Sequence, residues 1–357
     1  MTRARDPQTE ELLTHSEKLG EFAATFDPAL RHNLRYRVEK GEVIKPAPGV
    51  YARRSCWESL SKRERAYRTI AALQRIHPTW VFCRNSAAVA LGLPIALDDL
   101  DSVHVAVGPA QRGRSTKGVI RHVVENDRPI VVRGIRTTSL ERTVFDCMRI
   151  ADFGMAVAIS DYVLRQSEIS KALRGKAKQS RDRYLAYFSS LGMRKLKGAR
   201  RASIAMLYAD PRSESVGESL ARATMIEMGF ALPDLQRTLP HPLDPGKTFR
   251  VDFCWLREDG TRIIGEFDGA VKYENPETRG GVSALKVLED ERRRESLLSV
   301  YRMPIVRFSY KDVMNKGYFA RLLRRFGVPE REEMAKAFRR IATGGVPSAL
   351  TFSIAEY

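Results

Sequence analysis

The chain has 357 residues and carries 61 Lys and Arg against 43 Asp and Glu, a formal net charge of +18. With 43% hydrophobic and 29% charged residues it is long enough for a core in each of two or three domains, which excludes wholesale disorder. The excess positive charge points to a polyanionic partner, most simply nucleic acid; the alternative is a merely soluble basic surface.

The longest apolar stretch, Ser86 to Leu97, contains Gly92 and Pro94 and is too short to cross a bilayer, so no membrane association is expected. The first residues show no apolar signal segment. Cys56, Cys83, Cys147 and Cys254 are far apart, with no CxxC pair, which argues against a disulfide framework and fits a reducing cytoplasm.

Residues 8–60 read as small helices followed by a hairpin. Asp27-Pro28 is a helix start, Asp as N-cap and Pro in the first turn, and Gly41 is a stop. Leu30, Leu34 and Val38 share one face, while Arg31, His32, Arg35, Tyr36 and Arg37 lie largely off it. Val43-Ile-Lys45, a Pro-Ala-Pro-Gly turn and Val50-Tyr-Ala-Arg53-Arg54 then form a short basic hairpin. A basic helix followed by a basic wing is the layout of a winged helix-turn-helix, in which Arg31, Arg35, Arg37, Lys45, Arg53 and Arg54 would contact DNA. Periodicity alone fits any small helical domain with a hairpin equally well.

Residues 61–165 read as a mixed α/β domain. There Arg142 and Asp146 stand at i, i+4 on a helix, an intrahelical pair to which no chemistry is assigned. A basic helical connector, 166–209, follows. Residues 165–201 hold 12 Lys and Arg and only Glu168 and Asp182 as acids, with Tyr184, Tyr187, Phe188 and Leu191 at helical spacing. Both a helix with a solvated basic face and a surface that tracks nucleic acid fit this stretch.

Residues 210–330 change character. Ser215-x-x-Glu218 is a capping box that opens an amphipathic helix. Arg250 to Trp255 alternates like a half-buried strand, Glu258-Asp259-Gly260 is a turn, and Thr261 to Asp268 is a second strand. A three-residue loop makes paired positions sum to about 518, which sets Asp252 opposite Glu266 with Asp268 on the same face. The other face would carry Val251, Phe253, Ile263 and Phe267. Three facing carboxylates raise one another's pKa or attract a cation, and Mg²⁺ is the natural hard ion for an all-oxygen cluster, with Mn²⁺ as the substitute. Such an ion activates water for phosphate hydrolysis. The alternative is an exposed acidic face on an edge hairpin. A strand at Pro304 to Phe308 follows, and the tail, 331–357, reads as helix and then irregular chain.

Two resemblances sharpen this reading. Leu30…Leu34…Gly41-Glu-Val-Ile-Lys…Gly49-Val-Tyr51, then Asn85-Ser-Ala-Ala before Gly92-Leu-Pro94, Val103-His-Val-Ala, and Thr138-Ser-Leu-Glu-Arg-Thr-Val-Phe-Asp146, resemble AbiEi-type antitoxins and related bacterial regulators over residues 8–165. That resemblance implies promoter binding by the first domain and a second domain that helps repress or neutralise a partner. Arg-Val-Asp252-Phe…Ile-Ile-Gly-Glu266-Phe-Asp268-Gly269, with Glu291-x-x-Arg294-x-x-x-Leu298 and Pro304-Ile-Val-Arg307-Phe308, resembles the very-short-patch-repair-like branch of the PD-(D/E)XK nucleases over residues 210–328. It implies a mixed central sheet flanked by helices, with Asp252 and Glu266 as metal-binding acids. Glu218 matches the acid on the first core helix, although its capping role explains it equally well. The Lys of the superfamily motif is replaced by Asp268, as that branch commonly has it. Lys272 or Arg294 would supply the missing positive charge, while Arg294 paired to the acids or to a helix-surface neighbour is the plainer alternative.

Other chemistries find less support. The six histidines are scattered without metal-ligand spacing, and no phosphate-binding G-x-x-x-x-G-K-[ST] loop or G-x-S-x-G elbow occurs. The sequence thus predicts an α+β or α/β multidomain protein: a winged helix-turn-helix, a mixed α/β middle domain and a restriction-endonuclease-like domain. It would bind double-stranded DNA, use Mg²⁺ at Asp252, Glu266 and Asp268 to cut phosphodiesters, and act in host defence, as a homodimer or with a cognate toxin or defence partner. The rival expectation is a transcriptional regulator or antitoxin whose nuclease fold is inactive, and RNA is a third substrate.

Overall fold

The computed structural model describes residues 6–111, 115, 118–170, 177–192, 196–269, 292–294 and 296–331. It is a mixed α/β chain that divides into two compact units, Met1–Ala151 with Tyr184–Ala202, and Asp152–Arg183 with Ser203–Tyr357. No helix among the described residues is long and apolar enough to cross a membrane.

The first unit opens with α1 (Pro7–Lys18), β1 (Ala23–Ala24), α2 (Pro28–Glu39), β2 (Val43–Ala47) and β3 (Val50–Arg53). Asp6 and Asp27 start the two helices by accepting from the Thr9 and Leu30 N–H groups at 3.0 and 2.9 Å, each just before a proline. The strands form an antiparallel sheet in the order β1-β3-β2. Leu13, Leu34, Val43 and Tyr51 bury together between helices and sheet. At the hairpin tip Gly49 takes φ 79°, and a Cβ there would meet Phe26 at 3.0 Å and Ile76 at 3.1 Å.

Next come α3 (Arg54–Ser59), α4 (Lys62–Ile76), β4 (Val81–Phe82), α5 (Arg84–Leu91), β5 (Val103–Val107), β6 (Val119–Val123), β7 (Ile130–Val132), β8 (Ile135–Thr137) and α6 (Leu140–Ile150). The strands form a mixed sheet in the order β6-β5-β4-β8-β7, parallel at β5/β6 and β4/β8. On α6 the expected pair is present: Arg142 Nε donates to Asp146 at 2.7 Å, and Arg149 Nε to the other carboxylate oxygen at 2.8 Å.

α7 (Phe153–Ile169), α8 (Ala177–Gly192) and α9 (Ala199–Leu207) follow. Within the basic stretch Tyr184, Phe188 and Leu191 are buried, and the Phe188 ring lies 5.2 Å from that of Phe145 on α6. Their helical spacing is therefore that of a core-facing stripe.

The second unit is built on α10 (Val216–Met228), β9 (Asp234–His241), β10 (Asp244–Leu256), β11 (Arg262–Asp268), β12 (Ile305–Ser309), α11 (Tyr310–Met314) and α12 (Lys316–Arg325). Its sheet has the order β12-β11-β10-β9, with β11/β12 parallel and the other pairs antiparallel. One face packs Phe253, Trp255, Ile263 and Phe308 against Ala221 and Met225 of α10 and Phe319 and Leu323 of α12. The other face gathers Leu239, Cys254, Ile264 and Leu298. Val251 belongs to this second cluster, which corrects its expected place beside Phe253. The cause is local: Gln236, which falls opposite Asp252 on β9, has φ 54°, so strict alternation breaks there. α10 is tied to α7 by the buried ion pair of Arg222 and Asp161, 2.5 Å apart.

Candidate functional site

The β10/β11 register is the one the turn predicts: Phe253 faces Gly265, Cys254 faces Ile264 and Trp255 faces Ile263. It brings Asp252 and Glu266 to neighbouring positions at one end of the hairpin. The first turn of α10 reaches the same place. Ser215 caps it, accepting from the Glu218 N–H at 3.1 Å. Gly217 lets the turn settle on Phe267, since a Cβ would stand 2.2 Å from that ring. Glu218, the next residue, is thereby carried toward the strand acids.

Each carboxylate has its own donor. Glu218 is buried and accepts from the Glu214 N–H at 2.9 Å and Gln236 Nε2 at 3.1 Å. The return bond of the expected capping box goes to Glu214 rather than to the cap residue. Asp252 accepts from the Phe267 N–H at 2.9 Å. Glu266 is 7% exposed and accepts from Arg294 Nη2 at 2.9 Å, while the same nitrogen donates to the Arg250 carbonyl at 2.6 Å. Asp268 is held by two bonds from Arg307, at 2.6 and 3.2 Å.

Burial pushes the Glu266 carboxyl up to about 7, with the Arg294 charge opposing and the Asp252 charge adding to it. Glu218 is also raised, first by burial and further by Asp252, against its hydrogen bonds. Asp252 thus acts electrostatically on both buried glutamates. Three acids from α10, β10 and β11 share one electrostatic neighbourhood, whereas Asp268 is turned to Arg307. Among the described residues no three Asp, Glu, His or Cys side chains stand so as to hold a metal ion. A buried glutamate that resists ionisation is nonetheless a donor whose charge a hard cation would restore, so the oxygen set of Glu218, Asp252 and Glu266 suits Mg²⁺ in kind. Lys272 lies outside the described residues. Sequence reasoning gave no role to Gln236 and Arg307; both are visible only once distant strands are paired.

The six basic residues of the first unit divide. Arg35 and Lys45 are exposed, and Arg31 is half-buried with its guanidinium 6.0 Å from the Phe26 ring centre. Arg54 donates to the Gly41 carbonyl and lies 3.3 Å from Glu58. Arg37 and Arg53 face inward: Arg37 reaches Glu10 at 2.8 Å and Glu42 at 3.2 Å, and Arg53 reaches Glu10 at 2.7 Å and also bonds Glu17.

No protein-family profile matches the chain. The chain is similar to an uncharacterized protein of Mycobacterium tuberculosis, found in two strains, with 28% identity over 256 residues that cover 69% of this chain and 81% of the relative.

Proposed function

We propose that the protein is a DNA-binding, Mg²⁺-dependent phosphodiesterase, with residues 8–60 as a winged helix-turn-helix and residues 210–330 as a PD-(D/E)XK-like endonuclease domain. The observation that carries this reading is that Asp252 acts electrostatically on both Glu218 and Glu266, acids carried by a helix and a neighbouring strand of a mixed sheet, with Glu266 buried and raised to about 7. Asp252, Glu266 and Glu218 would hold the ion, which supplies Lewis-acid stabilisation and an activated water. Arg294, held on Glu266, would meet a phosphate oxygen as its charge grows. Asp268 acts through Arg307, keeping that guanidinium beside the site. The winged helix would hold duplex DNA chiefly through phosphate contacts by Arg31, Arg35 and Lys45. A role in host defence and a homodimeric or toxin-bound state are extensions of the same reading.

The second reading is a transcriptional regulator or antitoxin with an inactive nuclease fold. It is favoured by the fact that all four acids already have protein donors. Cleavage of supercoiled plasmid and linear duplex by wild type, Asp252→Ala and Glu266→Ala, each with Mg²⁺, Mn²⁺ or EDTA, separates the two. Metal-dependent cutting abolished in both variants supports the nuclease. Intact DNA binding without cutting by the wild type overturns it in favour of the regulator.

A further inference from the structure

In the first unit the chain enters α5 at Arg84, whose φ of 49° lies in the left-handed region. A side chain held there is strained, and strain of this kind marks sites that their surroundings over-determine. The preceding Cys83 N–H donates to the His104 carbonyl at 3.0 Å, which ties this turn to β5. His104 and His122, on the parallel neighbours β5 and β6, hold ring nitrogens Nδ1 and Nε2 2.8 Å apart, with ring centres separated by 5.1 Å. A neutral imidazole carries one N–H. Whichever ring donates, the pair therefore keeps one N–H and one bare nitrogen for something else.

The surrounding charge is unbalanced. Both oxygens of Asp146 are taken, one by Arg142 and the other by Arg149. Among the described residues the half-buried Arg84 guanidinium has neither a hydrogen bond nor an ion pair. Burial lowers its pKa and the Arg149 charge lowers it further, with Asp146 opposing. Both histidines are depressed to about 4 by burial first and then by Arg84, so its charge reaches both rings. A half-buried cation with no hydrogen-bonded or ion-paired partner is unfavourable, and a guanidinium fork whose charge reaches an imidazole pair with a free N–H supplies the kind of donors that recognise an oxyanion.

We infer that Arg84, His104 and His122 form a binding site for a phosphate oxyanion in the first unit. Two sources carry that group, free or nucleotide phosphate and the phosphodiester backbone of DNA. The site is made of other residues than the acids of the second unit, and its occupancy does not depend on cleavage. A bound phosphate favours one added proton on the pair, which keeps the Nδ1···Nε2 bond and turns the bare outer nitrogen into a second donor; the other charged neighbours are Arg84, Asp146 and Arg149. Binding thus raises the first titration midpoint of the pair and strengthens as pH falls.

The test is imidazole NMR on the full chain, which has six histidines, with His104→Gln and His122→Gln for assignment. Inorganic phosphate and a short DNA duplex are titrated separately into wild type, Arg84→Ala and Arg84→Gly. The glycine variant tolerates the left-handed backbone, so it keeps the fold where alanine retains the strain, and thermal melts verify that both are folded. The expected result is a shift of the His104 and His122 signals, a rise of about one pH unit or more in the first midpoint of the pair, and affinity at least about tenfold weaker in both Arg84 variants. A response to phosphate alone supports a small phosphate ligand; a response to duplex only supports a backbone phosphodiester. No response of these rings to either probe, or an undiminished response in both Arg84 variants, overturns the inference.

Discussion

Glu266 is a carboxyl that the fold makes hard to ionise. Its pKa rises from 4.5 to about 7, mainly through burial. The native state then binds more protons than the unfolded chain between those values, so its contribution to stability is full below 4.5 and is lost as pH climbs through 7. A shift of that size corresponds to roughly 3 kcal/mol. Chemical denaturation from pH 4.5 to 8 should show the wild type losing stability relative to Glu266→Gln by about 2–3 kcal/mol. Saturating Mg²⁺ should reduce that loss, because an ion bound to the carboxylate lowers its native pKa. Parallel pH profiles of the two proteins would show that Glu266 ionises as it does in water. The position of Glu266 was legible in the sequence, since alternation and a turn of known length fix it. Its pKa was not, because burial depends on α10 and on the helical turn that carries Arg294, and neither is close to it in the chain.

At the scale of elements, the seating of α10 on β11 decides where Glu218 lies. Gly→Ala in a helix ordinarily adds about 0.5–1 kcal/mol. At Gly217 the sign reverses, because the new methyl would stand 2.2 Å from the Phe267 ring. Gly217→Ala should cost about 1–3 kcal/mol by urea denaturation, and Phe267→Leu in the same chain should recover part of it. A stabilised Gly217→Ala would show that the helix does not pack there. The Arg222–Asp161 pair that anchors α10 to α7 is more sensitive: Arg222→Met strands a buried acid and should cost about 3–5 kcal/mol, more than the double change with Asp161→Leu. The elements themselves were legible where the signals are local. Asp27 and Ser215 cap their helices as read, and the 258–260 turn sets the β10/β11 register. β9 was not expected, since Pro233 precedes it, Pro240 lies within it, and the stretch has no apolar alternation and becomes a strand only by pairing with β10. Val251 changed faces for the same kind of reason, an irregularity seated on the partner strand at Gln236.

For the whole molecule, a net charge of +18 would favour a polyanionic partner, yet charge count does not say which arginines are available. Arg53 and Arg37 meet Glu10 across separations of 43 and 27 residues, so their pairing could not be read from local sequence. They join α1 to α2 and β3, which makes them part of the fold's internal charge balance. Arg35, by contrast, is exposed on α2. If α2 and the hairpin hold duplex DNA, Arg35→Ala should weaken binding with little change in melting temperature. It should also reduce the slope of log affinity against log salt by about one. Arg53→Ala should instead lower the melting temperature, because it leaves Glu10 and Glu17 partly buried with a lost partner. Shift assays across a salt series, read beside thermal melts, check both. A salt-independent affinity, or an Arg35→Ala slope equal to that of the wild type, would remove α2 from the DNA interface and leave the positive charge to be explained by the basic faces elsewhere in the chain.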